Sequence, residues 1–230
     1  MIDFTNCEKK NKMYGGANGS KICIIYNDER YMLKFAPHGK DNRCITEYLG
    51  CHILQSLGIQ TQDTLLGTYK VNNVEKIVVA CKDFAVNGWT IQDFASLKNR
   101  IVDTEWNGCG TKLDEMIQTI HKQNVVDAEA LNDFFWNLFI ADALIANSQK
   151  LNDKGIRYFE FISSGKYPEC TKALERMYPK INLDRINQII DDTEYITDEE
   201  KEFYKTMIRM RKERILDFSC EKLVLPYTKT

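Results

Sequence analysis

The hydrophobic period of this chain changes once. Up to residue 84 the apolar residues come in short alternating runs, and beyond Asn87-Gly88 they recur at helical spacing. Strands gathered in one half and helices in the other predict an α+β fold with segregated layers. Residues 22–26 and 30–35 are rich in Ile, Tyr, Leu and Phe, and Asn27-Asp28-Glu29 between them is turn chemistry, so they predict a β-hairpin. Ile45, Leu49, Ile53 and Leu57 form one helical stripe ahead of Gly58, predicting a helix over 42–57. Strands follow at 64–69 and 76–81, around a polar Val71-Asn72-Asn73 turn. Residues 1–86 thus read as a small sheet with one helix.

The helical half spans 87–230. Helices are predicted over 91–102 and over 113–123, the latter with Thr111 and Asp114 in a capping-box-like arrangement. Asp127 is placed to cap a long helix to Ile145, whose apolar face carries Leu131, Phe134, Phe135, Leu138, Phe139 and Ile145. Three more are expected at 168–177, 183–191 and 198–218, the last opened by a Thr197/Glu200 capping box.

Composition narrows the function. The 230 residues carry a net charge of -2, so no overall positive field argues for direct nucleic-acid binding. Lys205, Arg209, Arg211, Lys212 and Arg214 make the last helix basic, but Glu200, Glu202 and Glu213 interleave with them, the pattern of a solvated face. Eight cysteines without a C-x-x-C pair read as free thiols of a cytoplasmic protein, and three scattered histidines offer no zinc-type metal site. Residues 134–145 are apolar but broken by Asn137 and Asp142, too short for a membrane span. The polar start carries no secretory signal, and no membrane partner is expected.

The densest glycine segment is Tyr14-Gly15-Gly16-Ala17-Asn18-Gly19-Ser20-Lys21, ahead of the hairpin. Such a segment lets backbone N–H groups approach phosphate oxygens; it also suits a plain turn. Lys34 shifts the balance. Strand alternation puts it with Met32 on the face opposite Tyr31, Leu33 and Phe35, and a lysine inside an apolar strand calls for an anion. Glu47, on the following helix, is the natural partner.

At this point the chain resembles the HipA-like serine/threonine protein kinases, most closely their short CtkA-type branch. The resemblance rests on residues 14–21, 31–35, 46–53, 78–84, 93–98, 134–136 and 158–162, and so spans nearly the whole chain. It implies a protein-kinase-like two-lobed fold with a nucleotide as partner. Gly15, Gly16, Asn18, Gly19, Ser20 and Lys21 would cover ATP phosphates, Lys34 would bind them, and Glu47 would orient Lys34. A hinge from Val79 through Cys81 to Phe84 would hold the adenine.

The departure from the family is equally specific. There, the helix ending near Ala143-Leu144-Ile145 leads into an Asp-Arg-His-x-x-Asn loop and a downstream metal-binding Asp. Here, 147–157 pass directly into Tyr158-Phe159-Glu160-Phe161. Asp83-Phe84-Ala85 and Asp93-Phe94-Ala95 precede the long helix and read as hinge and post-hinge residues. Asp153 lies in the right region without the trailing Asn, in what also reads as a plain turn, and Asp142 reads as a hydrogen-bonded core carboxylate. Phosphoryl transfer needs a carboxylate to position the acceptor and oxygen ligands for Mg²⁺. The expectation is a catalytically impaired, ATP-binding protein with a binding or regulatory role, its protein partner or substrate left open. The alternatives are an active kinase that uses Asp153, and a decayed, internally deleted homologue.

Overall fold

The computed structural model describes residues 2–14, 21–36, 42–86, 88, 90–102, 109–152 and 154–224. The chain divides into two compact units: Met1–Thr90 with Asp184–Lys205, and Ile91–Leu183 with Thr206–Thr230. This differs from a single cut after residue 86, because a stretch of the helical half belongs with the sheet.

The first unit is built on a six-stranded sheet in the order β1-β5-β6-β4-β3-β2. The expected hairpin is β3 (Lys21–Tyr26) and β4 (Glu29–Phe35), and β5 (Thr64–Val71) and β6 (Val74–Lys82) form the second. Both turn on two residues with left-handed backbone, Asn27-Asp28 and Asn72-Asn73. Asparagine and aspartate tolerate that conformation, and the resulting turn matches the twist of the flanking strands. The sequence reading lacked β1 (Ile2–Asp3), parallel to β5, and β2 (Glu8–Lys10), antiparallel to β3. The glycine-rich segment therefore lies in the connection from β2 to β3. Residues 15–20 and Asp153 fall outside the described residues.

Alternation sorts the sheet into two faces. Phe4, Ile24, Tyr31, Leu33, Tyr69, Val78 and Ala80 make one buried cluster. The other face receives α1 (Arg43–Ser56) through Cys44, Ile45, Leu49 and Ile53, against β5 and β6. From Asp184–Lys205, Glu200 on α8 (Asp198–Arg211) accepts a hydrogen bond from Asn42 at the start of α1 at 2.6 Å.

In the second unit, α2 (Phe94–Ile101) starts three residues later than expected because Asp93 is its N-cap, accepting from Ser96 N–H at 2.7 Å. In α3 (Leu113–Lys122) the Thr111/Asp114 capping box does not form. Asn152, distant in sequence, takes that role with its Oδ1 accepting from Leu113 N–H at 3.2 Å. The long α4 (Ala128–Ile145) is capped by Asp127 as expected. Trp136, Phe139 and Ile140 of α4 are buried, whereas Phe134 is exposed. A short helix that the sequence reading lacked, α5 (Tyr158–Ser163), precedes α6 (Pro168–Met177). Helix α7 (Leu183–Asp191) has the expected bounds, and the Thr197/Glu200 capping box of α8 forms with both bonds present. The last helix runs past 218: α8 passes through a π-helical segment, Lys212–Asp217, into α9 (Phe218–Leu223). No helix among the described residues is long and apolar enough to cross a membrane.

Gly67 of β5 is the tightest backbone approach. A Cβ there would meet the Ile2 carbonyl oxygen at 2.4 Å and the Phe4 ring at 2.6 Å. Because the first obstacle is backbone, Gly67→Ala must displace β1. We expect a loss of roughly 1–3 kcal/mol, the range of overpacked core substitutions, read as a lower urea midpoint with an unchanged slope.

Candidate nucleotide site

Lys34 and Glu47 meet in the first unit. Lys34 stands opposite Val79 in the β4–β6 register, on the face that α1 covers, and its Nζ forms an ion pair with Glu47 Oε1. Cys81 Sγ donates to the same carboxylate oxygen at 3.5 Å, and Cys44 Sγ donates to the Lys34 carbonyl at 3.5 Å. Burial pulls the Lys34 pKa down, but the hydrogen bond of Glu47, together with Cys81 and the Glu47 charge, outweighs it, leaving the ammonium more firmly protonated than an ordinary lysine. Burial and then the Glu47 charge push the Cys81 thiol up to about 12, so it stays a neutral side chain in the strand.

Lys21 stands directly opposite Lys34 in the β3–β4 register. Like charges at facing positions repel, and both side chains leave the sheet on one face. Lys21 and Lys34 thus share one face of the sheet at the end of the glycine-rich connection.

Val79, Ala80 and Cys81 are fully buried, and ladders with β4 and β5 flank them on both sides. The backbone groups of Val79 and Cys81 are therefore not open to a ligand. Beyond the strand, Lys82 N–H donates to Asp63 C=O at 2.8 Å, and Lys82 C=O accepts from Gln62 Nε2 at 2.7 Å. Asp83 N–H is taken by Arg30 C=O, and Ala85 N–H by Asp83 Oδ1. Asp83 C=O and both backbone groups of Phe84 make no hydrogen bond among the described residues, and the Phe84 ring is exposed. These offer one donor and neighbouring acceptors, the set that an adenine edge needs.

Asp83 is a residue whose role the sequence does not show. Its Oδ2 accepts from Lys12 Nζ at 2.5 Å and Tyr14 Oη at 3.0 Å, and Lys12 also donates to Ala85 C=O at 3.3 Å. Residues 12–14 lead into the glycine-rich segment, so this buried carboxylate ties one arm of that segment to the hinge. The signal in sequence was a charged residue at the end of an apolar strand. Asp93, in the second Asp-Phe-Ala triplet, only caps α2.

The link from α4 to α5 belongs to the second unit. Ala146 ends α4 with left-handed backbone. Buried Asp142 accepts from Asn147 Nδ2 at 2.9 Å and Gln149 Nε2 at 3.1 Å, as a core carboxylate should. Burial raises its pKa more than these neutral amides lower it. Asn152 is engaged at both Oδ1 and N–H, its N–H donating to Thr111 C=O at 2.8 Å. In the last helix, Lys205 pairs with Asp191, Lys212 pairs with Asp217, and Arg211 Nε donates to Ala143 C=O at 2.6 Å.

No family model matches the chain. The serine/threonine-protein kinase CtkA of Helicobacter pylori is 35% identical over 292 aligned positions, which take in 97% of this chain and 89% of the relative. The chain belongs to the CtkA kinase family. The crystal structure of a Helicobacter pylori proinflammatory kinase CtkA superposes with a TM-score of 0.90 at 34% identity, covering 97% of this chain and 98% of that one. The kinase-like α+β fold expected from the sequence is therefore the fold of this CtkA relative.

The acid limb of stability tests the Asp83 anchor. Burial raises its pKa, but the bonds from Lys12, Tyr14 and Ala85 more than reverse this, leaving it below the ordinary 3.8. A carboxylate lowered in the folded state stabilises above its unfolded pKa, and that contribution disappears as pH falls through the folded value. Asp83→Asn should therefore lower the melting temperature above about pH 5 and flatten its decline below that. Parallel melting-temperature profiles for variant and wild type would remove Asp83 from this role.

Proposed function

We propose that this CtkA-type chain binds ATP in its first unit but transfers phosphoryl groups poorly or not at all, acting in the cytoplasm as a binding or regulatory protein through a protein partner. The observation that carries the reading is the Lys34–Glu47 pair with Lys21 as cross-strand neighbour. A strand lysine paired to a helix glutamate is the phosphate-handling arrangement of protein kinases. The residues there fit a nucleotide: the unbonded groups of Asp83 and Phe84 suit adenine, and Gly15, Gly16, Asn18, Gly19 and Ser20 suit the phosphates.

The residues between α4 and α5 do not fit Mg²⁺ in the same way. Residues 146–157 contain one carboxylate, Asp153, and the Asn152 side-chain oxygen is already engaged by Leu113 N–H. The alignment with the CtkA relative has 292 positions for 97% of a 230-residue chain, so roughly seventy of them lack a residue of this chain. A second reading, an active kinase using Asp153, is favoured by the relative's description as a serine/threonine-protein kinase.

Ligand-linked melting and radiolabel transfer separate these readings. ATP at a hundredfold excess over Kd should stabilise the chain by about 2.7 kcal/mol, several degrees in a chain of this size, and Lys34→Ala should abolish most of the shift. Equal shifts in both proteins would remove Lys34 from the site. No label should pass from γ-labelled ATP to the chain or to generic substrates. Robust incorporation by wild type would overturn the impaired reading, and its loss in Asp153→Asn would identify the substitute carboxylate.

A further inference from the structure

Phe84 stands at the apex of a turn that one side chain builds. Asp83 N–H donates to Arg30 C=O at 2.8 Å, and Asp83 Oδ1 accepts from Ala85 N–H at 2.9 Å. A side-chain oxygen that takes the N–H two residues on closes an Asx-turn, which spares the backbone groups of the residue in between. The other carboxylate oxygen locks the turn. Lys12 Nζ reaches Asp83 Oδ2 at 2.5 Å and Ala85 C=O at 3.3 Å, so one ammonium bridges the two residues that flank Phe84. Tyr14 Oη donates to the same Oδ2 at 3.0 Å, and the Arg30 guanidinium lies 3.8 Å from it. Asp83 is buried, so these charge-assisted bonds are made away from bulk water, where they are stronger.

Tying down 83 and 85 fixes 84. Phe84 is 56% exposed, and its N–H and C=O make no hydrogen bond among the described residues. One residue thus presents a donor and an acceptor on a backbone held from both sides. Adenine offers a ring nitrogen that accepts beside an amino group that donates, and hypoxanthine reverses both. Preorganised groups reject the reversed pattern, because they would be left unpaired; a loose backbone turns to suit either.

We propose that Asp83 and Lys12 are positioning residues that hold the Phe84 backbone so that the site selects a 6-aminopurine over a 6-oxopurine. Both act through Phe84 rather than on the base. This selection, which rests on nucleotide binding in the first unit, belongs to the base end of the site, as Lys34 belongs to the phosphate end.

The experiment is calorimetric titration of ATP and of inosine triphosphate into the full chain. Both carry the same triphosphate, so the ratio of their Kd values reads the base edge alone. Wild type should bind ATP at least about tenfold more tightly than inosine triphosphate. In Asp83→Ala, and in Lys12→Met at a partly exposed position, the ratio should fall to within about threefold, whereas Lys34→Ala should weaken both ligands alike. Thermal melts establish that each variant is folded, and Lys12→Met, which leaves the Asp83 turn acceptor in place, carries the test where Asp83→Ala does not fold. Wild-type discrimination surviving in either folded variant, or equal binding of the two triphosphates by wild type, would overturn the positioning role and leave nucleotide binding standing. Absence of ATP binding by wild type would overturn both.

Discussion

A positive charge leaving the inner face of a sheet fixes more of this structure than any apolar contact does. Lys34 is held half-buried by its strand, where an ammonium without a carboxylate would be costly. Its partner has to come from α1, because that helix covers the same face. Cys44, Glu47 and Cys51 share one side of α1 at spacings of three and four, between its apolar stripe and its exposed face. Small thiols at 44 and 81 let the carboxylate sit against the strand, where Cys81 donates to it. A bulkier residue at 81 would lie on the path from Glu47 to Lys34. The pair thus constrains how α1 is rotated, which residues flank it on β6, and which face of β4 looks outward.

Asp83 extends this constraint to the glycine-rich segment. The carboxylate sits one residue past β6, so β6 brings Cys81 to Glu47 and, two residues later, Asp83 to Lys12 and Tyr14. Anything that shifts β6 along its ladder would disturb both. Polar chemistry gathers at this one strand end: both backbone groups of 82 and 85 and the N–H of 83 are taken by neighbours, while the Asp83 carbonyl and both groups of Phe84 make no hydrogen bond among the described residues.

The sequence was legible where local and tertiary preferences agree. Asn27-Asp28 and Asn72-Asn73 announce their turns, the stripe from Ile45 to Leu57 announces α1, and Asp127 and Thr197 announce their helices. Lys34 and Glu47 were found because a charge at an apolar strand position has few explanations. Strands β1 and β2 escaped because they are two and three residues long, and Glu8-Lys9-Lys10 is an exposed edge without alternation. The α3 cap escaped because Asn152 supplies it across forty residues of chain, while the local candidates Thr111 and Asp114 looked sufficient. Placing Asp184–Lys205 with the sheet depends on contacts such as Asn42 to Glu200, which no local pattern encodes.

The short link after α4 closes the end of that helix with its own residues. A helix end leaves carbonyls without intrahelical partners, and an abrupt excision would strand them together with the buried Asp142. Instead, Asn147 N–H returns to the Asp142 carbonyl at 3.1 Å, Arg211 supplies a donor to Ala143, and Tyr158 Oη donates to Asn147 C=O at 2.8 Å. Both Asp142 oxygens are satisfied by amides from the link itself. Asn147 and Gln149 thus commit their amide N–H donors to closing the end of α4. The short link is therefore a well-satisfied piece of structure, with the end of α4 and its buried carboxylate both closed by neighbouring residues.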